Sequence, residues 1–503
     1  MSSRADGESS IATRAPAGCR SCKQRRIQCD RGLPACFKCS KRKLVCPGYK
    51  PQLRWANAIA VRGRFKGMQF PQEGEAVSEA RNTSSTKASP LSPLEGAEQD
   101  EISINGETAI SGVRLVPDFP NDDVVRQLLG HYDEKIASTL VWLDSEHNAY
   151  RCLVLPLAQR QPALMLSILA ISAKHLSTTS SLESSFPESA CDAAIQMITA
   201  QVQQVTSQLA EGRDLSNEIS IETAEWMLAS MLTLLSYETI GSGSMDWQSH
   251  RQAARILVHA LGTATRRDNE LYEFLRNQLS IFDVLASTTN FDSSITENAI
   301  LPNPDLRNVL FSDYLRFIYR VTLQSREKFQ DPASTQQGDA STPLTPKTLR
   351  DGFEQARGLT LMAARPLQLS NYSKQRDFVR IVDIYHHAGL LYSYRCLRFS
   401  SSIPGDVEYS RARLLDSLEV LEEIPTWVQD LPWPVFILGT ESYGNKSYQA
   451  SVRTIYEMII ETMGFNHYDL VLRFLDEFWS GDDPDWSVRA RGWEARGIQL
   501  LAV

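Results

Sequence analysis

Six of the nine cysteines in this 503-residue chain fall between Cys19 and Cys46, in the stretch CRSCKQRRIQCDRGLPACFKCSKRKLVC. Their spacing, C-x2-C-x6-C-x6-C-x2-C-x6-C, resolves into two copies of one unit, CRSCKQRRIQC and CFKCSKRKLVC. Six thiols so close together have three ordinary fates: disulfides, one metal site with spare sulfurs, or a shared metal cluster. An x2 step puts Cys19 and Cys22, or Cys36 and Cys39, about one helical turn apart, where both can grip one ion. Each x6 step lets the chain run along a short helix and return a further thiolate, Cys29 or Cys46. Zinc takes four tetrahedral ligands, and each half supplies only three. Two ions therefore need eight sulfur contacts, which six cysteines provide when two of them bridge. Six thiolates and two Zn²⁺ leave a residual charge of −2, which the interleaved Lys and Arg offset. A module of about thirty residues cannot hold a core alone, so metal binding supplies its folding energy.

The surrounding charge points the same way. From Arg14 to Lys66 fifteen Lys and Arg stand against one acid, Asp30, giving +14. The whole chain carries −8, so the remainder carries −22. A small basic head on an acidic body is the split expected of a nucleic-acid contact joined to a domain with other duties. The polar start MSSRADGESS has no apolar h-region, and no apolar run reaches the roughly 18 residues of a spanning helix. An intracellular chain is expected, where thiols stay reduced and a cysteine cluster binds metal rather than forming disulfides.

In these features the stretch resembles the fungal Zn2Cys6 binuclear-cluster transcription factors. The resemblance rests on the six cysteine spacings, the basic run KQRR after Cys22, Asp30 after the third cysteine and Pro34 before the fourth. It implies two Zn²⁺ held by Cys19, Cys22, Cys29, Cys36, Cys39 and Cys46. The first cysteine of each half, Cys19 and Cys36, would bridge. It also implies double-stranded DNA as partner, a nuclear location, and a first helix entering the major groove at a CGG-like triplet. Arg25 and Arg26 then lie at the base edges, where a guanidinium suits guanine O6 and N7. Lys23, Lys38 and Lys41 are candidate phosphate contacts, which position the protein without specifying sequence. Gln28 departs from the family, which usually has Lys there. No leucine heptad appears between Gly48 and Gly112, so coiled-coil dimerisation is not supported.

These residues must be carried by a chain that reads as four parts. Residues 1–17 are polar and expected to be disordered, and 18–48 hold the cysteines. Residues 49–112 form a linker, first basic and then rich in Ser, Pro and Glu, which cannot bury enough surface to offset chain entropy. From 113 to 503 apolar residues recur at three- and four-residue steps, as in PALMLSILAISAKHL and ETAEWMLASMLTLLSYETI. A mostly α fold follows: a small N-terminal zinc cluster, a flexible linker and a large all-α regulatory domain of a dozen or more helices. Asp268 is the expected cap of the helix through Leu271, and Gly262 the expected end of the one before it. Asp331–Lys347 reads as a loop, with Thr345-Pro346 a candidate proline-directed phosphosite.

Three stretches of the helical part, DWQSHRQAARILVHALG (Asp246–Gly262), FDVLAST (Phe282–Thr288) and LPWPVFILGTES (Leu431–Ser442), resemble the fungal-specific transcription factor domain of the second subgroup. That resemblance implies transcriptional regulation, with coactivators or the transcription machinery as further partners. Catalysis is not expected, since HExxH, P-loop and GxSxG patterns are all missing. The rival reading is an enzyme or ligand-binding protein whose zinc module mediates protein contacts. His386-His387 is expected to be ordinary core or surface histidine. Cys152, Cys191 and Cys396 are expected to be buried thiols. Trp433, between Pro432 and Pro434, is expected to shape a helix junction. Asp469–Trp486 mixes acids with large apolar side chains and reads as an amphipathic closing helix, or alternatively as an activation segment.

Overall fold

The computed structural model describes residues 22, 27–31, 36–42, 120–179, 185–210, 221–241, 246–261, 269–292, 296–303, 310–330, 344–365, 369 and 371–503. The chain divides into two units, Met1–Asp100 and Glu101–Val503. Among the described residues every regular element is helical. The first unit contributes one short helix, α1 (Phe37–Ser40), whose N-cap is Cys36.

The second unit begins with α2 (Asp122–His131), capped by Asn121, whose side chain accepts the Val124 N–H. A π-helical turn, Tyr132–Ile136, continues it, and another, Tyr150–Val154, precedes the next long element. Then come α3 (Pro162–Thr179), α4 (Phe186–Ala210) and α5 (Ile221–Ile240). They are followed by α6 (Trp247–Leu261), α7 (Glu270–Thr288) and α8 (Ser312–Gln330). After these run α9 (Pro346–Ala363), α10 (Tyr372–Cys396) and α11 (Pro404–Glu419). The last four are α12 (Pro432–Thr440), α13 (Lys446–Met463), α14 (Tyr468–Trp479) and α15 (Trp486–Ala495). No helix among the described residues is long and apolar enough to cross a membrane.

Neighbours in sequence pack as neighbours in space, α3 on α4, α5 on α6, α9 on α10 and α10 on α11. Two helices are buried on nearly every side and lie inside. Sixteen of the twenty residues of α5 are buried, and so are all nine of α12. A helix without a polar face must be enclosed on every side. By contrast α14 buries only Tyr468, Val471, Phe474, Leu475 and Phe478, one face at helical spacing. Its large apolar side chains are committed to the core, which supports the closing-helix reading of Asp469–Trp486. Where α9 crosses α10, a Cβ on Gly389 would stand 2.3 Å from Phe353 Cε1, so only glycine permits this approach.

Local chemistry moved some expected boundaries. The cap of α7 is Asn269, whose Oδ1 accepts the Tyr272 N–H at 2.9 Å; Asp268 lies outside the described residues. Likewise α6 ends at Leu261, and Gly262 lies outside them. Within the expected loop Asp331–Lys347, helix α9 already starts at Pro346, while residues 331–343 lie outside the described set. Thr345 and Thr348 cap one another reciprocally there, and Pro346 sits at the first helical position, where a missing N–H costs nothing. Cys152 is exposed, not buried, and its Sγ contacts the Glu146 carbonyl at 3.4 Å. It falls in a π-helical turn, which shifts the phase on which apolar neighbours are judged. Cys191 is buried and Cys396 half-buried, and burial pushes their thiols up to about 12 and about 11.

Candidate metal centre and the interior of the helical unit

The first unit brings Cys22, Cys29 and Cys36 together, their sulfurs all lying within 4.8 Å of one another. Cys22 Sγ and Cys36 Sγ are 3.7 Å apart. A disulfide needs about 2.05 Å, so these two sulfurs are not bonded to each other. Four thiolates at about 2.3 Å around a tetrahedral zinc stand about 3.8 Å from one another, and the observed separation matches that edge. Cys22, Cys36 and Cys39 are completely buried. Thiols gathered away from water with this spacing fit a soft divalent ion.

Backbone and side chains around the sulfurs hold this shape. Cys36 opens α1, and its Sγ accepts the Cys39 N–H at 3.3 Å, which favours the thiolate form. Asp30 bridges from the other side of the loop. Its Oδ2 accepts the Phe37 N–H at 2.8 Å and its Oδ1 the Lys38 N–H at 3.1 Å. Two of the first unsatisfied N–H groups of α1 are thereby filled by one carboxylate. Arg31 follows in a left-handed conformation, φ 58°, at a cost of about 1 kcal/mol for a residue with a Cβ. The chain turns sharply there so that Asp30 can reach α1. From sequence, Asp30 was legible only as a motif position, not as this latch.

Lys38 lies on α1 and Lys41 just after it, both exposed. Cys19, Cys46, Lys23, Arg25 and Arg26 lie outside the described residues.

In the second unit, the three stretches noted above meet in a polar interior. Asp283 on α7 is fully buried and receives both arginines of α6. Arg251 Nε donates to its Oδ1, and Arg255 Nε to its Oδ2 at 2.8 Å. The Ile300 N–H donates to Oδ2 at 2.6 Å. Burial draws the Arg255 guanidinium below its ordinary value, while Asp283 opposes the shift. At the end of α7, Arg326 on α8 donates to the carbonyls of Ser287, Thr288 and Asn290 at 3.2, 3.0 and 3.0 Å. Trp433 Nε1 on α12 then donates to Thr288 Oγ1 at 3.0 Å, and its ring stacks on Tyr385 of α10. Trp433 is thus a buried strut in the first turn of α12, where it joins α7 and α10. Glu441 closes the set by taking Arg395 bidentately, at 2.7 Å twice.

The family model described as "Fungal specific transcription factor domain" matches residues 127–494, nearly three quarters of the chain. The chain belongs to this family. A second model, "Fungal Zn(2)-Cys(6) binuclear cluster domain", matches residues 17–56, a module that takes two zinc ions. The acriflavine sensitivity control protein acr-2 of Neurospora crassa is 24% identical over 315 residues, 48% of this chain and 52% of that protein. The sterol uptake control protein 2 of Saccharomyces cerevisiae is 41% identical over 61 residues, 12% of this chain and 7% of that protein. The transcription factor phomR of Diaporthe leptostromiformis is 36% identical over 74 residues, 14% of this chain and 11% of that protein. The chain therefore spans at most about half the length of these relatives. No solved structure matches it.

In this chain the three stretches do architectural work. Buried hydrogen bonds from them tie α6, α8 and α12 to α7, and the Tyr385 ring stack and the Arg395–Glu441 pair join α10 to α12.

Proposed function

We propose that this chain is a sequence-specific, zinc-dependent DNA-binding regulator of transcription acting in the nucleus, with no catalytic role. The observation that carries the reading is the sulfur geometry at Cys22, Cys29 and Cys36, inside the stretch matched by the binuclear cluster model. Residues 18–48 form the DNA-binding module, 49–112 the linker and 113–503 the regulatory domain. Cys19, Cys22, Cys29 and Cys36 hold one ion, and Cys36, Cys39, Cys46 and Cys19 the other, so that Cys19 and Cys36 are shared. When bound, zinc supplies the cross-links that a module of about thirty residues lacks. The chain's own residues do the rest. Asp30 fixes the start of α1 and so the position of Lys38. Arg25 and Arg26 read guanine edges in a CGG-like triplet, and Lys23, Lys38 and Lys41 engage phosphates. The acidic helical unit receives regulatory partners of the transcription machinery.

The full chain, purified with zinc, tests this directly. It should contain about two zinc ions, retard a CGG-containing duplex more strongly than a scrambled one, and lose that activity with a chelator. One zinc per chain, or equal affinity for both duplexes, would overturn the reading.

A further inference from the structure

A cavity of about 110 Å³ lies where the stretch between the two π-helical turns meets α5, α7 and the turn from α13 to α14. Close-packed interiors hold few voids larger than one water, and an apolar cavity of roughly 150 Å³ takes benzene. Its apolar wall includes Trp142 and Phe282, half-buried at the open side, and Leu235, Met463 and Phe465, buried behind them. The rings are braced from outside the cavity. Trp142 stands edge-on to Phe311 at 4.4 Å, Phe282 to Trp247 at 5.8 Å, and Tyr150 to Phe274 at 5.2 Å. Walls held in this way keep the space preformed.

The lining contains no charged side chain. His467 Nδ1 donates to the Thr239 carbonyl at 2.9 Å, and burial lowers the ring's pKa to about 4, so it is neutral near pH 7. The Thr239 and Ser236 hydroxyls donate to the carbonyls of Ser236 and Leu232 at 2.7 and 3.2 Å. Gln429 Nε2 donates to the Thr426 carbonyl at 2.9 Å, and the Val503 main-chain oxygen accepts the Tyr468 hydroxyl at 2.5 Å.

Two polar groups in the wall are left unused. Tyr150 is 3% exposed and lines the cavity, yet its hydroxyl makes no hydrogen bond within the fold. The Trp427 N–H, also without a partner, is sealed from solvent; the Tyr150 hydroxyl is not, and the space beside it is this cavity. Burial pushes its pKa up, so it remains a protonated donor. The half-buried Gln278 amide likewise bonds nothing. Phe274, on which Tyr150 packs, precedes Gln278 by one turn of α7, so the two groups share one side of the cavity. A hydroxyl and an amide without partners, set in an uncharged aromatic wall, call for a neutral ligand with one matching polar group.

We propose that this cavity binds a small, neutral, single-ring aromatic alcohol, its ring against Leu235 and Phe282 and its hydroxyl bonded by Tyr150 and Gln278. The test titrates phenol, toluene, benzoate and benzylammonium into the full zinc-loaded chain carrying ¹³C-methyl methionine, with Met463 as the NMR reporter in the cavity wall. Phenol should move the Met463 signal with a dissociation constant on the order of 1 mM or tighter. Benzoate and benzylammonium, which put a charge into the same space, should bind at least about tenfold more weakly. Tyr150→Phe removes only an unbonded hydroxyl and keeps the fold; it should weaken phenol about three- to tenfold and leave toluene unchanged. Gln278→Leu should act on phenol in the same sense. Ser236→Phe, which puts a ring into the cavity from α5, should abolish binding of phenol and toluene alike, with circular dichroism verifying the fold. If that variant does not fold, Tyr150→Phe and Gln278→Leu still decide. No Met463 shift with phenol, charged probes binding as well as phenol, a folded Ser236→Phe that binds as before, or phenol affinity unchanged in both Tyr150→Phe and Gln278→Leu would each overturn the proposal.

Discussion

Removing the carboxylate of Asp283 should be among the most damaging single changes in the helical unit. Asp283 is wholly inaccessible, and the Arg251 and Arg255 side chains it holds are 4% and 3% exposed. In Asp283→Ala two buried guanidiniums and the Ile300 N–H lose their acceptor together. Breaking one buried pair costs about 3–5 kcal/mol, and an orphaned buried N–H about 1–3 kcal/mol. These terms overlap, so a loss of about 4–6 kcal/mol is expected, a large share of the roughly 5–15 kcal/mol that holds most folds together. With about 2 cal/mol/K of unfolding entropy per residue over roughly 400 residues, the melting temperature should fall by about 5–8 °C. Differential scanning calorimetry of the full chain reads this directly. Asp283→Asn, which keeps one acceptor oxygen, should fall in between. The discriminating variant is the triple change Arg251→Met, Arg255→Met and Asp283→Leu, which removes every charge and refills the space. If unpaired charge is the cause, the triple variant recovers most of the loss, because apolar replacements of buried ion sets are often neutral or better. A triple variant as unstable as Asp283→Ala would refute the reasoning and make shape the source of the loss.

Cys36→Ala should lose more zinc and more stability than Cys46→Ala, because a shared ligand serves two ions; equal zinc content by elemental analysis would sink the bridging assignment. Arg26→Ala should flatten the base preference at one guanine position, by about 1–3 kcal/mol in competition binding, whereas Lys38→Ala should weaken all sequences alike and reduce the salt slope by about one. Asp430, fully buried with neither carboxylate oxygen partnered, has its pKa raised well above the ordinary value by desolvation. The folded chain therefore binds more protons than the unfolded one above the ordinary carboxylate pKa, and Asp430 takes stability away as pH rises. Asp430→Asn should accordingly stabilise the chain at pH 7 and do much less near pH 4, as read by urea melts at the two values. A pH-independent effect would show that charge burial is not the cause.

What could be read from sequence divides along a physical line. Cysteine spacing was informative because ligand number and bond length belong to the ion, so counting thiols per half constrains the site before any fold is known. Helices were legible for a similar local reason. Runs such as LMLSILAISA carry their period in neighbouring residues, and Leu164, Ile168 and Ile171 are completely buried. Errors arose where two local choices were nearly equal. Asp268 and Asn269 are both good caps, and the structure uses Asn269, which leaves Leu271 and Tyr272 both facing the core. Cys152 failed because a π-helical turn breaks the period on which its burial was judged.

The interior polar chain was hidden for a different reason. Arg251 and Arg255 stand four apart on one helix, a spacing that by itself reads as a solvated face. Only contact with Asp283, about thirty residues later, makes them interior groups. The same holds for Asp30, whose partners Phe37 and Lys38 are reached through a left-handed turn at Arg31. Charges inside a fold are tolerated only in complete sets, so their role depends on partners that periodicity does not reveal. One signal was nonetheless present. The three stretches that carried the family resemblance are the ones that hold Arg251, Arg255, Asp283, Thr288 and Trp433. A motif that mixes charge with an apolar helix face is thus the better place to look for buried pairing than for a ligand.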